Sequence, residues 1–92
     1  MAWRIELSAQ ALKSLKKIDK PIAKQIYQEL RKLSELSDPR IKGKALTGNL
    51  RGLWRYRIGD YRLICHLESG ELIILVLELG HRKSIYRNSK FN

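Results

Sequence analysis

Three arginines in the stretch LWRYRIGDYRL, residues 53–63, are spaced so that they could share one anion. The Gly-Asp pair in its middle is a two-residue turn signal between strand-forming residues, which predicts a β-hairpin. In the register of that hairpin Arg57 lies opposite Arg62, with Arg55 diagonal to the pair. Because side chains alternate between the faces of a strand, the three arginines share one face. Like charges directly opposite each other destabilise a sheet, so this face is expected to have an anionic ligand.

Phosphate is the anion that suits this set of side chains. A guanidinium can hold phosphate through two parallel, charge-assisted hydrogen bonds, which a lysine ammonium cannot do. A phosphate between the arginines would therefore turn their repulsion into attraction. A solvated strand face is the ordinary expectation for Arg55 or Arg57 alone, whereas the three arginines together favour an anion site.

The sequence GHRKSIY, residues 80–86, follows the last predicted strand and adds His81, Arg82 and Tyr86 to the candidate site. Gly80 is expected to end the strand and turn the chain, which would bring these side chains close to the arginines. Taken alone, His81 would be an ordinary surface residue, and Tyr86 could lie in the core or stack on a base. No His, Cys or carboxylate stands at metal-ligand spacing, so neither a metal nor a cofactor is expected.

The elements that must position these residues follow from the apolar periodicity. Alternation in AWRIEL predicts a first strand, and apolar residues at helical spacing then predict two helices that are separated just before Pro21. A basic, glycine-punctuated connection spans residues 40–52. Three further strands are predicted at about 53–58, 61–68 and 72–79.

This order of elements predicts an α+β, two-layer fold for a single domain over residues 1–92. The predicted topology is β-α-α-β-β-β, in which an antiparallel meander sheet of strand order 1-4-3-2 packs on an αα-hairpin. The last strand is apolar on both faces over most of its length, so it is expected to be central, beside the first strand. The helices then cover one face of the sheet, and the arginines lie on the open face.

The charge of the chain points to a polyanionic partner. Nineteen Lys and Arg residues against nine Asp and Glu give a formal charge of +10, which from charge alone fits nucleic acid, an anionic membrane surface or an acidic protein. No apolar run approaches the ~20 residues of a membrane-spanning helix, and the first ten residues lack the apolar region of a secretory signal. We therefore expect a cytoplasmic protein without membrane contact. The single cysteine, Cys65, excludes an internal disulfide and is expected to be buried.

Two motifs, LRGLWRYRIGDYRLIC and GHRKSIY, together with the predicted architecture, make the chain similar to a known family. They resemble the RelE/ParE toxin superfamily, and its RelE branch most closely, over nearly the whole chain. The resemblance implies a RelE-like toxin of a type II toxin–antitoxin pair, which cleaves mRNA in the ribosomal decoding site and so inhibits translation. The 2′-hydroxyl of the RNA would be the nucleophile, without metal. The implied partners are the ribosome, mRNA and an acidic antitoxin, in a hetero-oligomer that reaches operator DNA through the antitoxin.

The resemblance also implies a catalytic set, and every position of that set holds a suitable residue here. The basic residues of the second strand fall on Arg55 and Arg57, and the arginine of the third strand falls on Arg62. The arginine after the last strand falls on Arg82, and the tyrosine near the C-terminus falls on Tyr86. Further contacts with RNA are expected from the basic residues Lys42, Lys44, Arg51, Lys83 and Arg87.

The identity of the general base departs from the family pattern. Relatives can have lysines at the second-strand positions, and one such lysine is proposed as the base. Arginine is a poor base near neutral pH, whereas histidine titrates in the right range, so His81 is the candidate base for the 2′-hydroxyl. The alternative is that catalysis depends on the electrostatic stabilisation that several arginines give to the transition state.

Two other functions stay open at this point. The ParE branch shares the fold, inhibits DNA gyrase without catalysis and lacks the full basic set. A plain basic nucleic-acid-binding module would bind polyanions without cutting them. The complete set of Arg55, Arg57, Arg62, Arg82 and Tyr86 favours the nuclease.

Overall fold

The two helices and the four longer strands begin within a residue or two of where the sequence predicts them. In the computed structural model, which describes residues 2–85, the N-cap of the first helix is Ser8, whose Oγ accepts a hydrogen bond from the backbone N–H of Ala11 at 3.0 Å. Pro21 lies in the first turn of the second helix, where its missing N–H costs nothing. In chain order the elements are β1 (Arg4–Leu7), α1 (Ala9–Lys16), α2 (Lys20–Ser34), β2 (Lys44–Ala45), β3 (Trp54–Ile58), β4 (Tyr61–Glu68) and β5 (Ile73–His81), with single 3-10 turns at Pro39–Lys42 and Gly48–Leu50.

The five strands form one mixed sheet of order β1-β5-β4-β3-β2. Strands β3, β4 and β5 form the predicted antiparallel meander, and β1 lies parallel to β5. The predicted order 1-4-3-2 is therefore confirmed for four strands. The observed order differs from it by strand β2, a fifth strand that lies within the connection 40–52 and adds to the sheet beside β3.

The core lies between the two helices and one face of the sheet, as predicted. Its buried residues are Trp3, Ala11, Leu15, Ile26, Leu30, Leu33, Tyr56, Ile58, Leu63, Cys65, Ile74, Val76 and Leu79. Within it, the hydroxyl of Tyr56 donates to the carbonyl of Pro39 at 2.8 Å, and burial raises the pKa of this phenol. The prediction that Cys65 is a buried thiol is confirmed, and burial raises its pKa. Neither helix within residues 2–85 is long and apolar enough to cross a membrane.

Candidate functional site

The hairpin has the predicted register, so the arginines share one face of the sheet. Arg57 pairs with Arg62, and Arg55 pairs with Ile64. Gly59 adopts a positive φ of 58°, as the tight turn between the strands requires. The opposite face of the same hairpin contributes buried residues to the core. The arginines therefore lie on the side of the sheet that the helices leave open.

Strand β2 adds a fourth cation to this side. Its pairing places Lys44 opposite Arg55. Residues that face each other across antiparallel strands have Cβ atoms ~4.5–5.5 Å apart, so the two cations are close neighbours. We call the surface formed by Lys44, Arg55, Arg57 and Arg62 the arginine face.

The arginines of this face differ in the contacts that their side chains make. Arg62 is half-buried, and its Nη1 lies 3.3 Å from the carbonyl of Gly59 and 3.2 Å from that of Tyr61, so the hairpin turn positions it. Arg57 is exposed, and no acidic side chain within residues 2–85 pairs with it or with Arg55.

The Nε of Arg55 is buried and has no hydrogen-bond partner among the described residues. A buried N–H without a partner costs ~1–3 kcal/mol, and an oxygen of a bound phosphate would remove that cost. Its cross-strand neighbour Ile64 is fully buried, so this part of the arginine face is apolar beneath the charges. Electrostatic attraction is stronger where water is excluded, which favours tight binding of an anion here.

Arg82 is held at the end of the same face. One residue after β5, its backbone N–H donates to the carbonyl of Asp60 at 2.7 Å, and its Nε lies 3.6 Å from Oδ1 of Asp60. Gly80 lies opposite Arg62, so the alternation of side chains places Arg82 on the side of the arginines. The ion pair is more than half exposed and worth less than about 1 kcal/mol, so Asp60 can release Arg82 to a phosphate.

His81 lies on the other face, so the expectation that it lies close to the arginines is wrong. It pairs with Tyr61, whose ring it meets edge-on at a centroid distance of 5.7 Å. Its Nδ1 accepts a hydrogen bond from the backbone N–H of Lys83 at 3.1 Å. The ring lines a cleft of about 540 Å³ between α1 and the end of β5, on the helix side of the sheet.

A β-bulge in the pairing of β4 with β5 is the physical reason for this position. Ile64 pairs with Glu78, whereas Cys65 pairs with Val76, so one extra residue is inserted into β5. An extra residue shifts the alternation of every side chain beyond it. The bulge therefore puts His81 on the helix side and Arg82 on the side of the arginines.

If the chain cleaves RNA, as its resemblance to the RelE branch implies, substitution of His81 by Gln is expected to change the single-turnover rate less than tenfold and to leave the shape of the pH–rate profile unchanged. Its imidazole would have to cross the sheet to reach a phosphate on the arginine face. A general base is worth roughly 10²–10⁴-fold. A loss of that size, together with a changed shape of the pH–rate profile, would restore His81 as the base.

The remaining predicted contacts do not all converge on the arginine face. Lys42 lines a cleft of about 390 Å³ at the open edge of β3, which it shares with Arg57. Arg51 and Lys83 are exposed in turns. Tyr86 and Arg87 lie outside the described residues. Within residues 2–85 no three His, Cys, Asp or Glu side chains come together as a group that could hold a metal ion.

Comparison with known proteins identifies the family. Residues 5–86 match the family model described as the ParE toxin of the type II toxin–antitoxin system parDE. The chain belongs to the RelE/ParE toxin superfamily. Among similar proteins, Toxin RelE of Mycobacterium tuberculosis is 26% identical over 89 residues, which cover 92% of this chain and 87% of that protein.

Solved structures of RelE toxins have the same fold as this type II toxin. In the archaeal RelE-RelB complex from Pyrococcus horikoshii, the matching chain is 28% identical with a TM-score of 0.71, over 91% of this chain and 99% of that one. In the toxin–antitoxin complex RelBE2 from M. tuberculosis, the match has a TM-score of 0.81 at 24% identity, over 89% of this chain and 93% of that one. The predicted resemblance to the superfamily is thus confirmed.

Proposed function

We propose that this toxin is a metal-independent endoribonuclease that cleaves mRNA in the decoding site of the ribosome and so inhibits translation. The observation that supports the proposal is the arginine face, where Arg55 and Arg57 have no acidic partner among the described residues and Arg62 lies directly opposite Arg57. A sheet that needed only solubility would gain from mixed charges on this surface. A phosphodiester is an anionic ligand that the cations of the arginine face could bind through charge-assisted hydrogen bonds.

The proposed reaction is attack of the RNA's 2′-hydroxyl on the adjacent phosphorus. The 2′-oxygen loses its proton and bonds to phosphorus, and the bond from phosphorus to the 5′-oxygen breaks. The products are a 2′,3′-cyclic phosphate and a 5′-hydroxyl, so the proton released in the attack balances the one gained by the leaving oxygen. Charge grows on the phosphate oxygens in the transition state, and donors that are already aimed at them stabilise it.

The positions of the arginines suggest a separate role in the reaction for the opposed pair on the arginine face and for Arg82. Arg57 and Arg62 form a directly opposed pair that can bind the two non-bridging oxygens of one phosphate. Arg82, at the end of the face, would neutralise the leaving 5′-oxygen. Since His81 lies on the helix side, electrostatic stabilisation is the better-supported mechanism, with water accepting the 2′-proton.

An acidic antitoxin is the proposed cellular partner. An acidic segment that covers the arginine face would offset the formal charge of +10 and provide acidic partners for Arg55 and Arg57, which have none among the described residues. We further propose that the pair forms a hetero-oligomer in the cytoplasm and reaches operator DNA through the antitoxin. Two of the similar solved structures are toxin–antitoxin complexes, RelBE2 and RelE-RelB, which supports testing for such an assembly here.

A non-catalytic inhibitor of DNA gyrase is the second candidate function. The description of the matching family model as a ParE toxin favours it. The full set of basic residues counts against it, because the resemblance to the ParE branch does not extend to such a set. A plain nucleic-acid-binding module would use the same charge without cutting.

Expression of the toxin without an antitoxin is expected to stop protein synthesis, with new mRNA 5′ ends inside translated regions. The measurement is 5′-end mapping of messages from purified ribosomes incubated with the protein, beside a variant with Arg57→Ala and Arg62→Ala. Cut messages with the wild type and intact ones with the variant would support the nuclease. Intact messages together with blocked DNA supercoiling would establish the gyrase inhibitor, and binding without cleavage would establish the binding module.

A further inference from the structure

The β-bulge in strand β5 decides which side chains the end of that strand presents to the arginine face. Cys65 of β4 pairs with Val76, and beyond the bulge Ile64 pairs with Glu78. Because side chains alternate along a strand, a shift of one residue in the pairing exchanges the two sides. The end of β5 can therefore pair with β4 in two registers, one with the bulge and one without it.

The register without the bulge would present His81 in the place of Arg82. If the ladder continued past the bulge site without an extra residue, His81 would lie opposite Asp60, on the side of the arginines. In the observed register Arg82 takes that place, and its backbone N–H donates to the carbonyl of Asp60 at 2.7 Å. The choice of register thus determines whether an arginine or a histidine lies at the end of the arginine face.

The apolar pattern of β5 does not distinguish the two registers. Its residues Ile73–Leu77 are all apolar, so either side of the strand can be buried. Glu78 is the one charged residue between Ile73 and Gly80, and it lies directly at the bulge. A single carboxylate in an apolar strand does not predict a bulge, but its environment differs sharply between the two pairings.

In the observed register Glu78 adds side-chain hydrogen bonds at the bulge. Its Oε1 accepts from the backbone N–H of Leu79 at 3.1 Å and from the hydroxyl of Ser14 on α1 at 3.4 Å. The carbonyl of Leu77, the preceding residue, accepts from Oγ of Ser8 at 2.7 Å. A bulge disrupts the regular ladder, so these side chains support the backbone where it departs from regular pairing.

In the register without the bulge the same carboxylate would lie in the core. Glu78 would face Leu63, which is fully buried in the hydrophobic cluster. An ionised carboxylate among apolar side chains, with no cation beside it, is strongly unfavourable. Leu79, which is buried in the observed register, would move to the open side, opposite Arg62. Both changes oppose the loss of the bulge.

We propose that Glu78 is a positioning residue whose carboxylate selects the bulged register of β5 and thereby places Arg82, rather than His81, on the side of the arginine face. Glu78 acts through the backbone of β5 and touches no substrate. The inference rests on the proposed function only for its effect on cleavage, because the register is a property of the free protein.

The test compares two substitutions of Glu78 with a matched control. Glu78→Leu removes the acceptor and suits an apolar core, whereas Glu78→Gln keeps a polar acceptor at the same position. The control is Glu68→Leu. Glu68 is also a strand carboxylate whose Oε1 accepts from a backbone N–H at 3.1 Å, that of Gly70, but it lies at the other end of β4.

Two NMR signals report the register without any need for RNA. The first is the nuclear Overhauser contact between the rings of Tyr61 and His81, whose centroids are 5.7 Å apart. The second is hydrogen exchange of the Arg82 amide, which is bonded to Asp60. Single-turnover cleavage on programmed ribosomes is measured beside them, and urea unfolding checks that each variant folds.

Glu78→Leu is expected to lose the ring contact and to speed exchange of the Arg82 amide about fivefold or more, the factor that one backbone hydrogen bond contributes. Cleavage should fall by about 10²-fold or more, as for the loss of Arg82 itself. Glu78→Gln and the control should keep both signals. Retention of both signals in Glu78→Leu would overturn the proposal. Their loss in Glu78→Gln or in the control would also overturn it, because a polar acceptor at residue 78 would then not select the register.

An exchange of two neighbouring residues tests the selection in the opposite direction. The swap variant, Glu78→Leu with Leu79→Glu, keeps the composition of the wild type, but its carboxylate reaches the open side only without the bulge. It is expected to fold in that register, with the new carboxylate beside Arg62 and without the ring contact. A swap variant that keeps the ring contact, or that does not fold, would show that the second register is not available and would overturn the proposal. Because these signals need no cleavage, failure of the wild type to cut messages would refute the proposed function and leave the register result intact.

Discussion

Replacing Arg82 with alanine is expected to lower the single-turnover rate of message cleavage by ~10²–10³, the usual loss when one donor to the transition-state charge is removed. The structure explains why the effect should be local. The backbone N–H of Arg82, which donates to Asp60, stays in place in the variant, so the chain after β5 keeps its anchor. The lost ion pair is exposed and contributes little to stability. The measurement is rapid-quench cleavage with programmed ribosomes in excess over message.

The control for Arg82 is Lys17→Ala, which removes one exposed cation at the end of α1 and nothing from the arginine face. If the transition-state role is correct, this control changes the rate only slightly, and binding of the uncleaved message by the Arg82 variant stays near that of the wild type. Equal losses from the two substitutions would show that Arg82 contributes only general charge. A parallel loss of affinity and rate would show that it binds the ground state.

The part of the site that could be predicted from the sequence is the part that local rules determine. A two-residue turn fixes the pairing of its strands, and the pairing of Arg57 with Arg62 is confirmed. Apolar periodicity likewise predicted the helices and the four longer strands. The joint position of Arg55, Arg57 and Arg62 therefore required no knowledge of the rest of the fold.

Two features depended on long-range packing and could not be predicted in this way. Strand β2 has two residues, too few to show alternation, and it lies beside β3 because Gly43 lets the chain approach Tyr56. A Cβ on Gly43 would lie 2.9 Å from that ring. The bulge in β5 has no sequence signal in a strand that is apolar on both faces, yet it decides the side on which His81 lies. Hence the position of Lys44 beside Arg55 was not predicted, and His81 was predicted on the wrong side of the sheet.

Replacing Arg57 with glutamine is expected to have effects of opposite sign on stability and activity. Arg57 is exposed, pairs across the strand with Arg62 and has no acidic partner within residues 2–85. Its removal therefore breaks no ion pair and relieves a like-charge contact, which should raise the free energy of unfolding by roughly 0.2–0.5 kcal/mol. Cleavage should fall by ~10²-fold or more, because a donor to the transition-state charge is lost.

The two effects of Arg57→Gln are measured by urea unfolding and by single-turnover cleavage on programmed ribosomes. The gain in stability should shrink in 0.5 M salt, because the Debye length falls to a few ångströms and screens the repulsion. Lys13→Gln, which removes an exposed helix cation, is the matched control and should change neither quantity appreciably. A variant that is both less stable and less active would mean that Arg57 supports the hairpin rather than the reaction. A more stable variant with full activity would place the phosphate elsewhere on the sheet.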